Sequence, residues 1–279
     1  VNFLHFPVRS IKEIKANQIK SIRRVIQITF ILVYGSDGTG KSVQCKNIAE
    51  AMEDAEHWSF ATKNRKLYEQ SEIQSVELLR FNPDNTVNPY QTMDVFRDKV
   101  TVTVKESNLK FLVIDEITLL RKYAQPVIIE EVNRARRSLR EPKPPITKIG
   151  ENNYAAWEQV NKLVYGRLEL LANWSEITGA IVIAITSIVE QRRMIVDAES
   201  GESKSVGTGE MIVDAKENVR KLADIRVKLE KDGRNGKGYY AVFEKTQDWM
   251  LPGKDGKDAV KVGKDGLLTE LIARGVIEI

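Results

Sequence analysis

No stretch constrains this chain as tightly as the octapeptide Gly35-Ser36-Asp37-Gly38-Thr39-Gly40-Lys41-Ser42, which stands between a strand-like run and a helix-like run. The preceding run, Val25 to Tyr34, is β-branched and aromatic and ends at the first glycine, so it reads as a strand. After the octapeptide, Cys45, Ile48, Ala49 and Met52 fall on one face of a helix. Strand, G-x-x-x-x-G-K-S and helix in that order define a phosphate-binding loop. Backbone N–H groups wrap the phosphate, and glycines remove the Cβ atoms that would hold the chain away. The expected nucleotide contacts are Gly35, Ser36, Asp37, Gly38, Thr39, Gly40, Lys41, Ser42 and Val43. Lys41 is expected to reach the β- and γ-phosphates of ATP and Ser42 to hold Mg²⁺ through its hydroxyl, with the helix dipole adding to the anion site.

A second motif, Phe111-Leu112-Val113-Ile114-Asp115-Glu116, runs four apolar residues into two carboxylates. Such a run fits a central parallel strand buried on both faces, and ligands of such sheets gather at the carboxyl ends of the strands. Asp115 is therefore the expected second Mg²⁺ residue and Glu116 the expected general base for the attacking water. A third strand, Ala180 to Ile185, ends in Thr186-Ser187; a hydroxyl there, Thr186, can sense the γ-phosphate or is bonded to backbone.

With 42% hydrophobic residues in 279, the chain can bury a sizeable core, and one α/β domain with insertions is the simplest organisation. Its one cysteine rules out a disulfide framework or a Cys-rich zinc site. The absence of a long apolar stretch or a signal-peptide pattern points to a cytoplasmic protein without a membrane partner. Net charge is only +4, so a nucleic-acid partner has to be argued from where the basic residues cluster.

Three clusters stand out. Residues 1–24 carry Arg9, Lys12, Lys15, Lys20, Arg23 and Arg24 against Glu13, an arm or amphipathic helix. Pro126 to Asn133 reads as a proline-opened helix leading into Arg134, Arg136, Arg137 and Arg140, before a mobile segment with prolines at 142, 144 and 145. Residues 190–218, with Arg192 and Arg193, read as a long polar loop. These six arginines are the nucleic-acid candidates, although arginines near a helix C-terminus also answer its dipole. Elsewhere, Asn88-Pro89 opens a helix, Asn153 to Trp174 forms another with Trp157, Val160, Val164, Leu168 and Leu171 in one stripe, and 225–229 with 239–243 form a β-hairpin. The last segment, 251–279, reads as a tail of Gly-Lys-Asp-Gly turns with a short helix from Leu267.

The loop at 35–42, the acidic strand at 111–116, the Trp157 helix, the hydroxyl-ended strand at 180–187 and the Ala223-Asp224 hairpin together resemble RecA-like ATPases over residues 25–250. The closest likeness is to the RecA-type recombinase ATPases of phages and archaeal viruses. The resemblance implies an α/β fold of the RecA-like P-loop NTPase kind, a mainly parallel central sheet flanked by helices with a C-terminal hairpin. It also implies a homo-oligomer with nucleotide at subunit boundaries, loops facing DNA, single-stranded DNA favoured, and a role in recombination, annealing or replication. In such proteins a basic residue after the hairpin reaches a neighbour's γ-phosphate, and Lys245 is the matching position. Two features depart from the pattern. Gln247 stands where a second basic residue is often found, and Thr62-Lys63-Asn64-Arg65 offers no acid where these enzymes often place the catalytic carboxylate. Glu116 directly after Asp115 is closer to helicase and DNA-packaging ATPases, so a packaging or translocating motor is an alternative, as is a nucleotide-gated protein that does not turn over.

Overall fold

The computed structural model describes residues 29–61, 67–69, 71, 73–150, 153–196, 203–213, 217–231, 239–244, 257–262 and 266–277. Strands are Phe30–Gly35 (β1), Ala55–Ser59 (β2), Gln74–Glu77 (β3), Phe111–Asp115 (β4), Ile181–Thr186 (β5), Ile188–Val196 (β6), Ser203–Val213 (β7), Ile225–Lys231 (β8), Tyr239–Glu244 (β9) and Lys257–Val262 (β10). Helices are Lys41–Glu50 (α1), Pro89–Glu106 (α2), Thr118–Arg137 (α3), Tyr154–Thr178 (α4), Glu217–Leu222 (α5) and Gly266–Ala273 (α6).

Eight strands form one sheet in the order β10-β9-β8-β1-β5-β4-β2-β3. From β8 to β3 every pairing is parallel, and β9 and β10 close the far edge antiparallel. The apolar runs explain the centre: β1 and β4 are buried at every residue, as strands must be when helices cover both faces. Alternate residues then serve opposite faces. Phe30, Leu32, Leu112, Ile114 and Val182 pack with Phe96 of α2, Leu120 of α3 and Val164 and Leu168 of α4. Ile31, Val33, Val113, Ile183 and Val227 pack with Cys45 and Ile48 of α1 and Leu267 and Leu271 of α6. This is an α/β fold of the RecA-like P-loop kind: the hydroxyl-ended strand β5 lies between the loop strand β1 and the acidic strand β4, and β8–β9 form the expected hairpin.

Several local expectations hold for stated reasons. Asn88 caps α2 by accepting from Gln91 N at 3.0 Å, with Pro89 in the first turn, and Asn153 caps α4 by accepting from Ala156 N at 3.2 Å. Asp224 sits at the foot of β1, its carboxylate accepting from the backbone N–H of Thr29 at 2.8 Å and of Phe30 at 3.0 Å. It thereby joins the start of the loop strand to the start of β8.

Others are corrected. Pro126 does not open a helix but lies inside α3, which begins at Thr118. Burial of Leu120, Tyr123, Ala124 and Ile128 along one face outweighs the backbone bond that proline removes. Residues 190–218 are not a loop in the main: β6 and β7 pair antiparallel as a separate two-stranded ribbon, with a register shift between Glu190 and Arg192. Glycines and charged residues hide the alternation there, yet the two strands satisfy each other's backbone. Residues 257–262, read as part of a tail, add β10 to the sheet, and Leu267 and Leu271 of α6 are fully buried. Trp157 is only half-buried, its ring under the Arg121 guanidinium at 5.2 Å, while Val160, Val164, Leu168 and Leu171 form the core stripe. Residues 1–24, 62–65 and Lys245 lie outside the described residues.

Candidate active site

Gly35 ends β1 opposite Leu229 of β8, and a Cβ there would run into the Leu229 carbonyl oxygen. The loop then turns tightly, Thr39 Oγ1 donating to Ser36 O at 2.8 Å, and Gly40 takes a left-handed φ of 81° as the N-cap of α1. No side chain caps α1, so the positive end of its dipole opens into the loop. Lys41 is only 6% exposed and donates from Nζ to Gly35 O at 2.8 Å and to Ser36 O at 3.0 Å. Its ammonium is thus held at the centre of the loop. A cavity of about 280 Å³ lies over these residues, lined by Asp37 to Val43, Leu67 and Glu116. A cradle of backbone and one buried ammonium fits a polyphosphate; Ser42 and the fully buried Asp115 are hard oxygen ligands of the kind Mg²⁺ takes.

The two acids occupy different settings. Asp115 closes β4 beside Ser59 of β2, and Glu116 follows with φ 64°, a left-handed backbone that costs a non-glycine residue roughly 1 kcal/mol or more. That turn is held by Ile117 N donating to Ile185 O at 2.9 Å, and it aims Glu116 toward the loop cavity. Ser187 Oγ donates to Glu116 Oε2 at 3.4 Å. Thr186 is fully buried and shares a 2.9 Å hydrogen bond with Thr118 Oγ1, which also accepts from Ser187 N at 3.1 Å. Thr186 is thus held by a hydroxyl of α3 at the end of β5, and the Ser187 hydroxyl reaches the Glu116 carboxylate. Glu69 is exposed and Glu77 half-buried; among the described residues the carboxylates lining the cavity belong to Asp37 and Glu116.

Sequence reasoning passed over two buried residues behind the acids. His57 of β2 is fully buried, with Nε2 3.9 Å from Asp115 Oδ2 and Nδ1 2.9 Å from Ser75 Oγ. Tyr68 stacks on it, ring centroids 3.4 Å apart and planes 4° from parallel, and donates from its hydroxyl to Ser42 O at 3.1 Å. Only the order of the strands brings them together, so no local pattern could have marked them. Burial raises the Tyr68 hydroxyl and Cys45 thiol well above their ordinary ranges, with the Asp115 charge adding to both, and drives the His57 imidazole from its ordinary 6.5 down to about 3.

That last shift predicts a pH dependence. The unfolded chain binds the His57 proton below about 6.5 and the folded chain only near 3, so between them the unfolded state holds more protons. Stability should be full above pH 6.5 and fall by up to ~1.4 kcal/mol per pH unit as the pH drops below it. Urea unfolding at pH 7, 6 and 5 checks this; His57→Phe should flatten the slope over that interval, before the carboxylates titrate.

The arginine candidates separate by placement. Arg134, Arg137 and Arg140 are exposed at the end of α3, Arg137 bonded to Glu130 at 2.9 Å, and half-buried Arg136 donates to Pro144 O at 2.8 Å. The proline-rich segment is tied back to the helix rather than loose: Asn133 exchanges two hydrogen bonds with the Ile146 backbone, at 2.9 and 2.8 Å. Arg192 and Arg193 lie on β6, paired with Gly207 and Val206. Among the described residues no helix is long and apolar enough to cross a membrane.

No protein-family model matches the sequence, and no curated protein matches it. Among solved structures the chain is similar to the assembled ATPase EscN of the enteropathogenic E. coli type III secretion system, in complex with its central stalk EscO. The TM-score is 0.39 and the identity 13%, over 73% of this chain and 42% of that one. The chain thus spans less than half the length of that ATPase. A likeness of that size carries no weight of its own; the fold assignment rests on the strand order and the loop.

Proposed function

We propose that this chain is a P-loop ATPase that couples ATP hydrolysis to nucleic acid. The observation behind the reading is that the glycine loop, buried Lys41 and left-handed Glu116 line one cavity, with Asp115 immediately before Glu116 at the end of β4, one strand removed from β1. In this reading Lys41 and the loop amides bind the β- and γ-phosphates, and Ser42 and Asp115 hold Mg²⁺, which neutralises developing phosphate charge. Glu116, oriented by Ser187, accepts the proton of the attacking water. Thr186 and Thr118 hold the floor on which that pair stands. ATPase rates with Mg²⁺, alone and with single-stranded DNA, double-stranded DNA or RNA, test the reading; no hydrolysis under any of them would overturn it.

The proposed biological setting is DNA recombination, annealing or replication by a head-to-tail homo-oligomer, with Lys245 of one subunit approaching the phosphates of the next. A second reading, a packaging or translocating motor, is supported by the adjacency of Asp115 and Glu116 and predicts stimulation by double-stranded rather than single-stranded DNA. Nucleic acid is proposed to bind Arg134, Arg136, Arg137, Arg140, Arg192 and Arg193. Replacing the four arginines at 134–140 should weaken binding and reduce the slope of log affinity against log salt by about 0.7 to 1 for each phosphate that is no longer neutralised. Arg136 and Arg137 already have protein partners, so the larger share should come from Arg134 and Arg140. Filter binding between about 50 and 300 mM salt reads the slope, and an unchanged slope returns the cluster to an ordinary helix end.

A further inference from the structure

The loop and the acidic strand are separate elements, yet one stacked pair touches both. Tyr68 belongs to the short turn 67–69 between β2 and β3, whose Leu67 lines the phosphate cavity. Its hydroxyl holds the carbonyl of Ser42, in the first turn of α1, at 3.1 Å. Its ring lies flat on His57, and His57 Nε2 faces Asp115 Oδ2 at 3.9 Å without a hydrogen-bond partner of its own among the described residues. His57, Tyr68 and Asp115 are all fully inaccessible.

A neutral imidazole carries one N–H. Ser75 Oγ is 2.9 Å from Nδ1 and can donate to it, which leaves the proton on Nε2, facing the carboxylate. The opposite tautomer would set a lone pair against a buried anion, which a low-dielectric site penalises. The 3.9 Å separation is too long for a hydrogen bond, so in this structure the N–H faces the carboxylate as a buried dipole beside a buried charge. Carboxylates that hold metals are themselves held by outer donors, and loss of such donors typically costs roughly 10- to 100-fold in metal affinity.

We propose that His57 and Tyr68 are positioning residues that hold Asp115 and Ser42 in register for Mg²⁺. The inference rests on the nucleotide-site reading above. His57 acts on the acid and Tyr68 on the helix turn, and their stacking makes the two adjust together. The pair also joins this metal geometry to Leu67, so a nucleotide against that turn meets residues on the same short element.

The test is equilibrium binding of a fluorescent ATP analogue to the full chain, in EDTA and with increasing Mg²⁺. His57→Phe keeps a ring in the stack and removes the donor; Tyr68→Phe removes a single oxygen and keeps the stack, so it should fold even if the first variant does not. Binding in EDTA should stay within about twofold of wild type for both. The Mg²⁺-dependent gain in affinity should fall about tenfold or more in His57→Phe and about threefold in Tyr68→Phe, with His57→Gln, which retains an N–H donor, recovering part of it. The Mg²⁺ concentration for half-maximal turnover should rise by the same factors, with kcat at saturating Mg²⁺ changed less. Lowered melting temperatures with an unchanged Mg²⁺ response would overturn the inference and leave the pair as packing. A wild-type protein that binds ATP equally well with and without Mg²⁺ would overturn the inference alone, and one that binds ATP under neither condition would overturn the nucleotide-site reading itself, and the inference with it.

Discussion

Glu116→Gln should bind Mg²⁺·ATP within a few-fold of wild type and hydrolyse it about 10² to 10⁴ times more slowly. The amide has the shape of the carboxylate and can still accept from Ser187, so the turn at φ 64° and the cavity wall should persist. What is lost is a proton acceptor, which matters only when water attacks; the deficit therefore belongs in kcat rather than in binding. In energy it amounts to ~3–5 kcal/mol of the barrier. Single-turnover hydrolysis beside equilibrium ATP binding separates the two quantities. Near-normal turnover would move the base elsewhere, to Glu69 or Glu77, both of which stand away from the cavity.

Lys41→Ala should abolish measurable hydrolysis and weaken ATP binding by about 10- to 150-fold, the worth of one charge-assisted hydrogen bond of ~1.5–3 kcal/mol. The buried ammonium already sits on the loop's own carbonyls, so a phosphate arriving in the cavity finds its positive charge held within the loop. The same variant tests whether the site is shared between subunits. Mixed with Lys245→Ala, it should recover part of the activity, because some interfaces of a head-to-tail assembly pair an intact loop with an intact Lys245. A cation supplied in trans as arginine is worth roughly 10³ to 10⁵ in rate, and lysine, a point charge without the bidentate fork, should give less. A mixture that co-assembles and stays inactive would place Lys245 outside the chemistry.

Much of the site is legible without coordinates because its parts are local. The loop needs glycines at fixed spacing, β1 and β4 need unbroken apolar runs to survive burial on both faces, and Asn88 and Asn153 mark helix starts by the hydrogen bonds their side chains accept. The position of Glu116 at a strand's end is likewise written in four apolar residues followed by two acids. Local rules fail where a distant partner outweighs them. Pro126 sits inside α3 because the face made by Leu120, Tyr123 and Ala124 has a core to fill, and 188–196 with 203–213 form a ribbon because two weakly alternating segments satisfy each other's backbone. Strand order is the largest such decision. Inserting β5 between β1 and β4 brings Ser187 to Glu116, and pairing β2 with both β4 and β3 sets His57 between Asp115 and Ser75 under the ring of Tyr68. The sequence by itself therefore determined which residues could meet a phosphate, since that depends on glycine spacing and charge. Only the tertiary structure decided what stands behind them, since a buried imidazole is neutral, stacked and aimed only once three other segments, β3, β4 and 67–69, have closed around it.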